Sequence, residues 1–551
     1  MVKKIFSLLI VSFLCLSSFA QHHEEPDIEE LENEANQLEE KSQEQIDQSL
    51  QDSFYIIDAQ RKRNLDPHLT SYAADAQVLT GLYEGLFSYN PVTLEPQYAI
   101  AQDYKISRDK KRITFILRDN ARFSNGEKIT AESVKESWLL LLANPLAPYS
   151  SLLDIVRGAR EYRNGQGSKD DVGIYALDDR KLSVYLNSPA NYLPKVLCHA
   201  AFSVIHKDKN VFSGPYVISY SDSASLCLTK NEYYWDIENT NINTFLFVQS
   251  NDADQNTIAY NSGSFSWVDS DFQVEKLLNK KAIQMNAEFG TTYYFFKLTS
   301  RKPEDKRKAF NPWDYPEFRN AVVEVMPWDS LRQSSIVPAT SFVYPLTGYP
   351  QVEGFDYTDE IEAKLKMEEA KEKYGLDKDS RIELILEISE GASNPLIEEA
   401  LKTSLDLIGV DLVIRKLPVY EYLANVRDTD ADLLSYSWIG DFADPLAFLS
   451  LFQGDSTLND SGWNNSEFDE LLNQAASTSS DIERYELLAK AEELLLDSGM
   501  VLPVSHPVAF NIIDLDEVGG WANNAFNIHP LKYIFKKITH STAPNIVMNI
   551  Q

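Results

Sequence analysis

Apolar positions recur at every second residue through Ile113, Phe115 and Leu117, which marks the inward face of a strand. Arg118-Asp119-Asn120 ends that pattern, and Asn125-Gly126 supplies the positive φ angles of a tight hairpin turn. The period then changes. Thr130 stands as an N-cap with Glu132 in the first turn, and Val134, Trp138 and Leu141 follow at helical spacing. Apolar, β-rich runs at 54–59 (FYIIDA), 291–298 (TTYYFFKL) and 501–506 (VLPVSH) read as strands. The stretches around Cys198 (KVLCHAAFSVI) and Cys227 (ASLCLTK) are strand-like as well. Ile28, Leu31, Ala35 and Leu38 keep a heptad-like spacing for only about two heptads, short of what a coiled coil needs. Residues 21–52 are rich in Glu and Gln and contain neither Gly nor an aromatic residue, so they read as a solvated, partly helical acidic spacer. From Phe54 onward the pattern is globular, with no second linker, low-complexity tract or short repeat.

The amino terminus changes the picture from a generic acidic chain to an exported one. Lys3 and Lys4 form a charged n-region, Ile5 to Leu16 an apolar core, and Ser18-Phe19-Ala20 a small-x-small cleavage site before Gln21. The apolar run is too short for a stable membrane span. Lipid attachment at Cys15 would need small residues before it, where Phe13 and Leu14 stand. A periplasmic location is therefore expected. In that oxidising compartment Cys198 and Cys227 would form a disulfide or remain two buried thiols, and spacing does not choose between them. The 551 residues carry a formal charge of −32, which argues against nucleic acid and anionic membrane surfaces as partners. Such acidity keeps an exported protein soluble and raises the local concentration of cationic solutes.

Catalytic motifs are missing. There is no HExxH, no G-x-S-x-G and no P-loop. Gly454-Asp455-Ser456 resembles a GDS-type lipase box, but that box needs a late Asp-x-x-His, and no histidine here has Asp three residues before it. Cys198-His199 lacks a second ligand pair at metal spacing. No catalytic residue, cofactor or metal is expected.

The wording of residues 113–138 is more specific than its physics. It resembles the signature block "ytF.LR....fsdG.plTa.dv..S" of the extracellular solute-binding family typified by oligopeptide- and dipeptide-binding proteins. Leu65-Asp66-Pro67, Gly81 to Leu86, Ser213-Gly214-Pro215-Tyr216, Leu228 to Trp235, Arg319-Asn320-Ala321 and the stretch from Ser435 to Leu449 resemble further family motifs in family order. Asn464-Asn465, Phe468-Asp469, Leu472 and Ala475-Ala476, then Arg484, Ala489 and Glu492, continue the series.

The resemblance implies an α/β, two-lobe periplasmic-binding-protein fold of class II type, with an extra subdomain in lobe I. The implied division is a signal peptide at 1–20, the spacer at 21–52, lobe I at 53–83, its extra subdomain at 84–200, lobe I again at 201–293, lobe II at 294–502 and the end of lobe I at 503–551. It implies a monomeric substrate-binding subunit of an ABC importer, with a peptide ligand and a membrane permease as partners. Asp441 would grip the ligand ammonium and Trp438 would wall the site. Ser71, Tyr72 and Ala73 would form a strand whose backbone pairs with the ligand, Tyr149 would face the cleft, and Arg427 would receive a carboxylate. The chain departs from the pattern at Val419, Ser435 and Ser71, where aromatic, basic and acidic residues are usual. Rival readings are a family member binding a sugar, opine or metal chelate, an exported peptide or cell-wall hydrolase, and an adhesive protein acting through residues 21–52.

Overall fold

A computed structural model describes residues 53–298, 310–478 and 480–537. The expected signal peptide and acidic spacer lie outside the described residues. Two mixed sheets organise the rest. The first has seven strands in the order Ile283–Ala287, Val508–Ile513, Trp267–Asp269, Ser53–Asp58, Thr244–Gln249, Ser225–Lys230 and Tyr216–Ser221. Ser53–Asp58 runs parallel to both of its neighbours. Helix Ala73–Leu82 covers one face of this sheet and helix Ala253–Asn261 the other. This strand is therefore buried on both sides, which explains its nearly unbroken apolar run. Phe54 and Ile56 enter one core, and Ile57 enters the other.

The second sheet has six strands, in the order Val337–Pro338, Val501–His506, Gly290–Phe296, Leu433–Ile439, Ile382–Ser389 and Val410–Leu417. A separate four-stranded antiparallel sheet, Ala101–Ile106, Arg112–Leu117, Lys181–Tyr185 and Ile174–Asp178, packs against helix Ala131–Ala143. Here local sequence decides. Ile113, Phe115 and Leu117 are buried, and Gly126 takes φ +86° in its turn, whereas Asn125, expected to share the positive φ, does not. The Thr130 side chain accepts from Ser133 N, and the Ser133 side chain accepts from Thr130 N, which closes a capping box.

The chain passes between the large sheets twice, at Glu288–Phe289 and at Pro507. Residues 294 and 502, the expected limits of lobe II, lie within the two strands that follow and precede these passages. Glu288 N donates to Pro507 O at 2.9 Å, so the two crossings touch. A Cβ at Gly290 would lie 2.6 Å from the Trp438 carbonyl oxygen and 3.1 Å from Pro507, so glycine is what lets the crossing strands approach.

The stretch around Cys198 corrects its expected strand. It forms a short helix, Leu193–Val196, and a 3₁₀ turn, Ala200–Phe202, because Pro194 suits a first helical turn and His199 caps the second element. Residues 225–230 do form a strand. Cys198 and Cys227 are both free thiols. Among the described residues no helix is long and apolar enough to cross a membrane.

Candidate functional site

The strand Leu433–Ile439 has one paired edge and one largely open edge. Gly290–Phe296 pairs with it along its whole length. On the other side, only Leu433 and Leu434 pair with Ile382–Ser389. The Tyr422 hydroxyl then takes Ser435, donating to its carbonyl at 2.6 Å and accepting from its N–H at 3.1 Å. Among the described residues no strand pairs with Ser437, Trp438 or Ile439 on that edge. An open strand edge is a template for an extended chain.

That edge leads into Gly440 and Asp441. A Cβ at Gly440 would meet the Phe289 ring at 2.6 Å, so the loop lies directly against the crossing. Asp441 does not cap the following helix, Leu446–Leu449, whose N-cap is Pro445. Its carboxylate instead meets the extra subdomain. The Tyr149 hydroxyl is hydrogen-bonded to it, and His199 Nε2 lies 3.4 Å from Oδ1. The Tyr89 hydroxyl donates to the Asp441 carbonyl at 2.8 Å. Burial pushes the Asp441 carboxyl up to about 7, an effect the Tyr149 hydrogen bond opposes. Burial likewise lowers His199 to about 3, so the imidazole is neutral and gives the carboxylate no charge partner. A buried acid with no cation beside it is costly unless a ligand brings one.

Trp438 stands at the mouth of this loop, and its Nε1 donates to Ala447 O at 2.8 Å. Tyr149, 1 % exposed, packs against His199 with the rings tilted at 52° and their centroids 4.3 Å apart. The subdomain and the six-stranded lobe also meet through Ser151 and Thr457, whose hydroxyls lie 2.9 Å apart, and through Arg160 and Asp455 at 3.2 Å. The lipase-like triplet Gly454-Asp455-Ser456 belongs to this contact: Arg163 donates to the Asp455 carbonyl at 3.1 Å, and the Ser456 hydroxyl is 3.4 Å from that of Ser151.

One expectation needs correction. Ser71, Tyr72 and Ala73 do not form a strand. Tyr72 is the N-cap residue of helix Ala73–Leu82, its N–H donates to Thr70 Oγ1 at 3.2 Å, and its carbonyl accepts from Asp75 N at 3.0 Å. Asp75 fixes this entrance by accepting from Thr70 Oγ1, Asn64 N and Arg61 Nε. Tyr72 itself is 42 % exposed. Arg427, expected to receive a carboxylate, is half exposed and has partners within the chain. Its Nε donates to Asp460 Oδ1 at 2.7 Å, and Nη2 donates to the Thr457 carbonyl.

Sequence reasoning missed His199, which has no neighbour in the chain to signal its role. It also missed a second acidic group at the crossing. Burial and Asp58 raise Asp269 to about 6, and burial and Asp269 raise Glu288 to about 7.

Two α/β bodies joined by two touching crossings, with an open strand edge and an uncompensated carboxylate between them, define a ligand-enclosing binding protein. Comparison with known proteins agrees. Residues 95–460 match the bacterial extracellular solute-binding proteins, family 5, and the chain belongs to that family, whose members are solute-binding proteins rather than enzymes. It is 26% identical over 478 residues to the dipeptide-binding protein DppE of Bacillus subtilis (strain 168), covering 82% of this chain and 86% of that one. It is 28% identical over 468 residues to the oligopeptide-binding protein OppA of the same organism, covering 80% and 85%. The solved murein tripeptide binding protein MppA of Escherichia coli has the same fold, with a TM-score of 0.77, 22% identity, and coverage of 88% and 98%.

Proposed function

We propose that this chain is the exported substrate-binding subunit of an ABC importer and that it captures peptides between its lobes for a membrane permease. The observation that carries this reading is the buried Asp441 carboxylate, with no cation beside it among the described residues, at the end of the open edge of Ser437–Ile439. A peptide ammonium supplies the missing charge, and a peptide backbone supplies the missing strand. The names of the relatives support peptides as the ligand class. Tyr149 steadies Asp441, Trp438 walls the amino-terminal position, and the exposed Ser71, Tyr72 and Ala73 face the ligand from the other lobe. Arg427 has only a minor part. A micromolar complex requires roughly −8 kcal/mol. One desolvated ammonium–carboxylate pair, whose loss typically costs about 2–5 kcal/mol, supplies a large share of it.

Tyr89, Tyr149, His199 and Ser151 all reach the body built on the six-stranded sheet, and on this reading those contacts form as the lobes close. A ligand held by both lobes therefore shifts an open–closed equilibrium toward the closed form. Mass spectrometry of small molecules released when the purified protein is denatured tests the reading directly. Peptides with free amino termini are expected. Sugars, opines or metal chelates in their place would overturn it.

A further inference from the structure

We infer that His199 is a positioning residue that reserves Asp441 for a cation carried by the ligand: it sets a neutral ring nitrogen 3.4 Å from the carboxylate and is barred from offering a charge. The inference rests on the reading of Asp441 as the ligand's anchor.

The imidazole's other nitrogen is already engaged. His199 caps the turn Ala200–Phe202, and its Nδ1 accepts the Ala201 N–H at 3.2 Å. The Nδ1 lone pair is therefore engaged, and the ring proton sits on Nε2. A second proton on Nδ1 would set two N–H groups against each other. The ring is 5 % exposed and lies against Tyr149 and Phe202, with centroids at 4.3 and 6.3 Å. Nε2 faces Asp441 Oδ1 at 3.4 Å, beyond full hydrogen-bond length, so the carboxylate keeps room for another donor. The other titratable groups at the cluster are neutral too. Tyr149 bonds the carboxylate, Tyr89 bonds the Asp441 carbonyl, and the Cys198 thiol turns to the Pro194 carbonyl at 3.4 Å. Burial, which holds His199 near 3, acts in the same direction. A purely structural contact would favour an imidazolium paired with the carboxylate, because burying an unpaired charge is costly. This chain gives the second nitrogen to a backbone N–H instead.

Three proteins test the inference: the parent, His199→Gln, which keeps a neutral donor, and His199→Lys, which tethers a cation beside Asp441. The probes are an equimolar tripeptide library and its N-acetylated counterpart. The parent should favour free amino termini by about 30-fold or more. His199→Gln should keep that ratio within about threefold, and His199→Lys should collapse it toward unity. Imidazole ¹⁵N NMR of the ligand-free parent should show a neutral Nε2–H ring from about pH 8 to about pH 5. A ring protonated within that range, or a lysine variant that keeps the parent's ratio, would overturn the inference. If the lysine variant fails to fold, the NMR result and the glutamine variant decide. A parent with no preference for free amino termini defeats the anchor reading itself, and the histidine role falls with it. A discriminating parent with an unchanged lysine variant defeats the histidine role alone.

Discussion

Asp441 and Asp444 stand three residues apart in one loop and are treated in opposite ways. Asp444 receives both Arg484 Nη1 and Nη2, at 2.7 and 2.8 Å, and the Tyr192 ring lies 4.7 Å from that guanidinium. Asp441 receives a tyrosine hydroxyl and faces a neutral imidazole. A similar contrast holds further away. Glu84 is buried with Lys532 at 2.8 Å and also accepts from Tyr234 and Trp235, which ties three distant segments of lobe I together. Burial alone thus does not mark a functional acid. What marks it is burial with no cation beside it among the described residues, where the segment carrying Tyr149 and His199 meets the body built on the six-stranded sheet.

The largest expected effect comes from breaking the saturated member of the pair. Asp444→Ala leaves Arg484 buried and unpaired, which should cost about 3–5 kcal/mol of stability. Chemical denaturation should show that loss, while folded protein keeps its preference for free amino termini. Asp441→Asn should do the reverse. Binding of free-amine peptides should weaken by about 30-fold or more in a calorimetric titration, with no loss of stability. Stability should even rise at alkaline pH. The folded carboxyl titrates at about 7 against an ordinary 3.8, so the folded state holds a proton that the unfolded state has released between those values. The parent therefore loses stability as pH rises from 3.8 to about 7, and the asparagine variant does not lose this share. Melting curves of the two proteins should converge near pH 3.8 and separate at alkaline pH. Equal separation at both ends would mean that Asp441 does not titrate as its burial requires.

A smaller effect follows from the same group. An ammonium binds the carboxylate, so capture releases the carboxyl's proton when pH lies below about 7. Affinity for free-amine peptides should fall by about tenfold per pH unit below that point. Asp441→Asn should flatten the profile. A parent whose affinity does not change between neutral and mildly acid solution would contradict the anchor.

The sequence makes local structure legible and leaves the site only half legible. The strand, turn and capped helix of residues 112–143 depend on neighbours in the chain, as the Thr130–Ser133 box shows, so pattern is sufficient there. The crossing strands could be read because burial on both faces leaves a continuous apolar run. Asp441, Trp438 and Tyr149 were named through family resemblance, and the structure brings Asp441 and Tyr149 into contact. His199 stands out in the sequence only beside Cys198, as a pair without metal spacing, and not as part of the site. Its meaning comes from a 3.4 Å approach to a residue in another lobe and from a bond to Ala201 N, neither of which leaves a periodicity. Ser71–Ala73 misled because Asp75 gathers Thr70, Asn64 and Arg61 and so turns an extended stretch into a helix entrance.

The smallest expected effect concerns the far end of the ligand. Family resemblance makes Arg427 the receiver of a carboxylate, yet its Nε is already held by Asp460 at 2.7 Å, and Asp460 also takes the Tyr436 hydroxyl at 3.3 Å. The guanidinium is half exposed, and an exposed pair is worth about 0.2–1 kcal/mol. Arg427→Gln should therefore change the ratio of affinities for free-acid and amidated peptides by less than about fivefold. Asp460→Asn is the sharper probe. It removes the internal partner and leaves the guanidinium to seek another anion, so preference for free acids over amides should increase. Competition binding with matched acid and amide peptides reads both changes. If Arg427→Gln instead abolishes a strong preference for free acids, the arginine must leave Asp460 when ligand arrives. Asp460 would then be a resting partner rather than a permanent one, and the distinction between saturated and reserved charges would have to be drawn from the ligand-bound state.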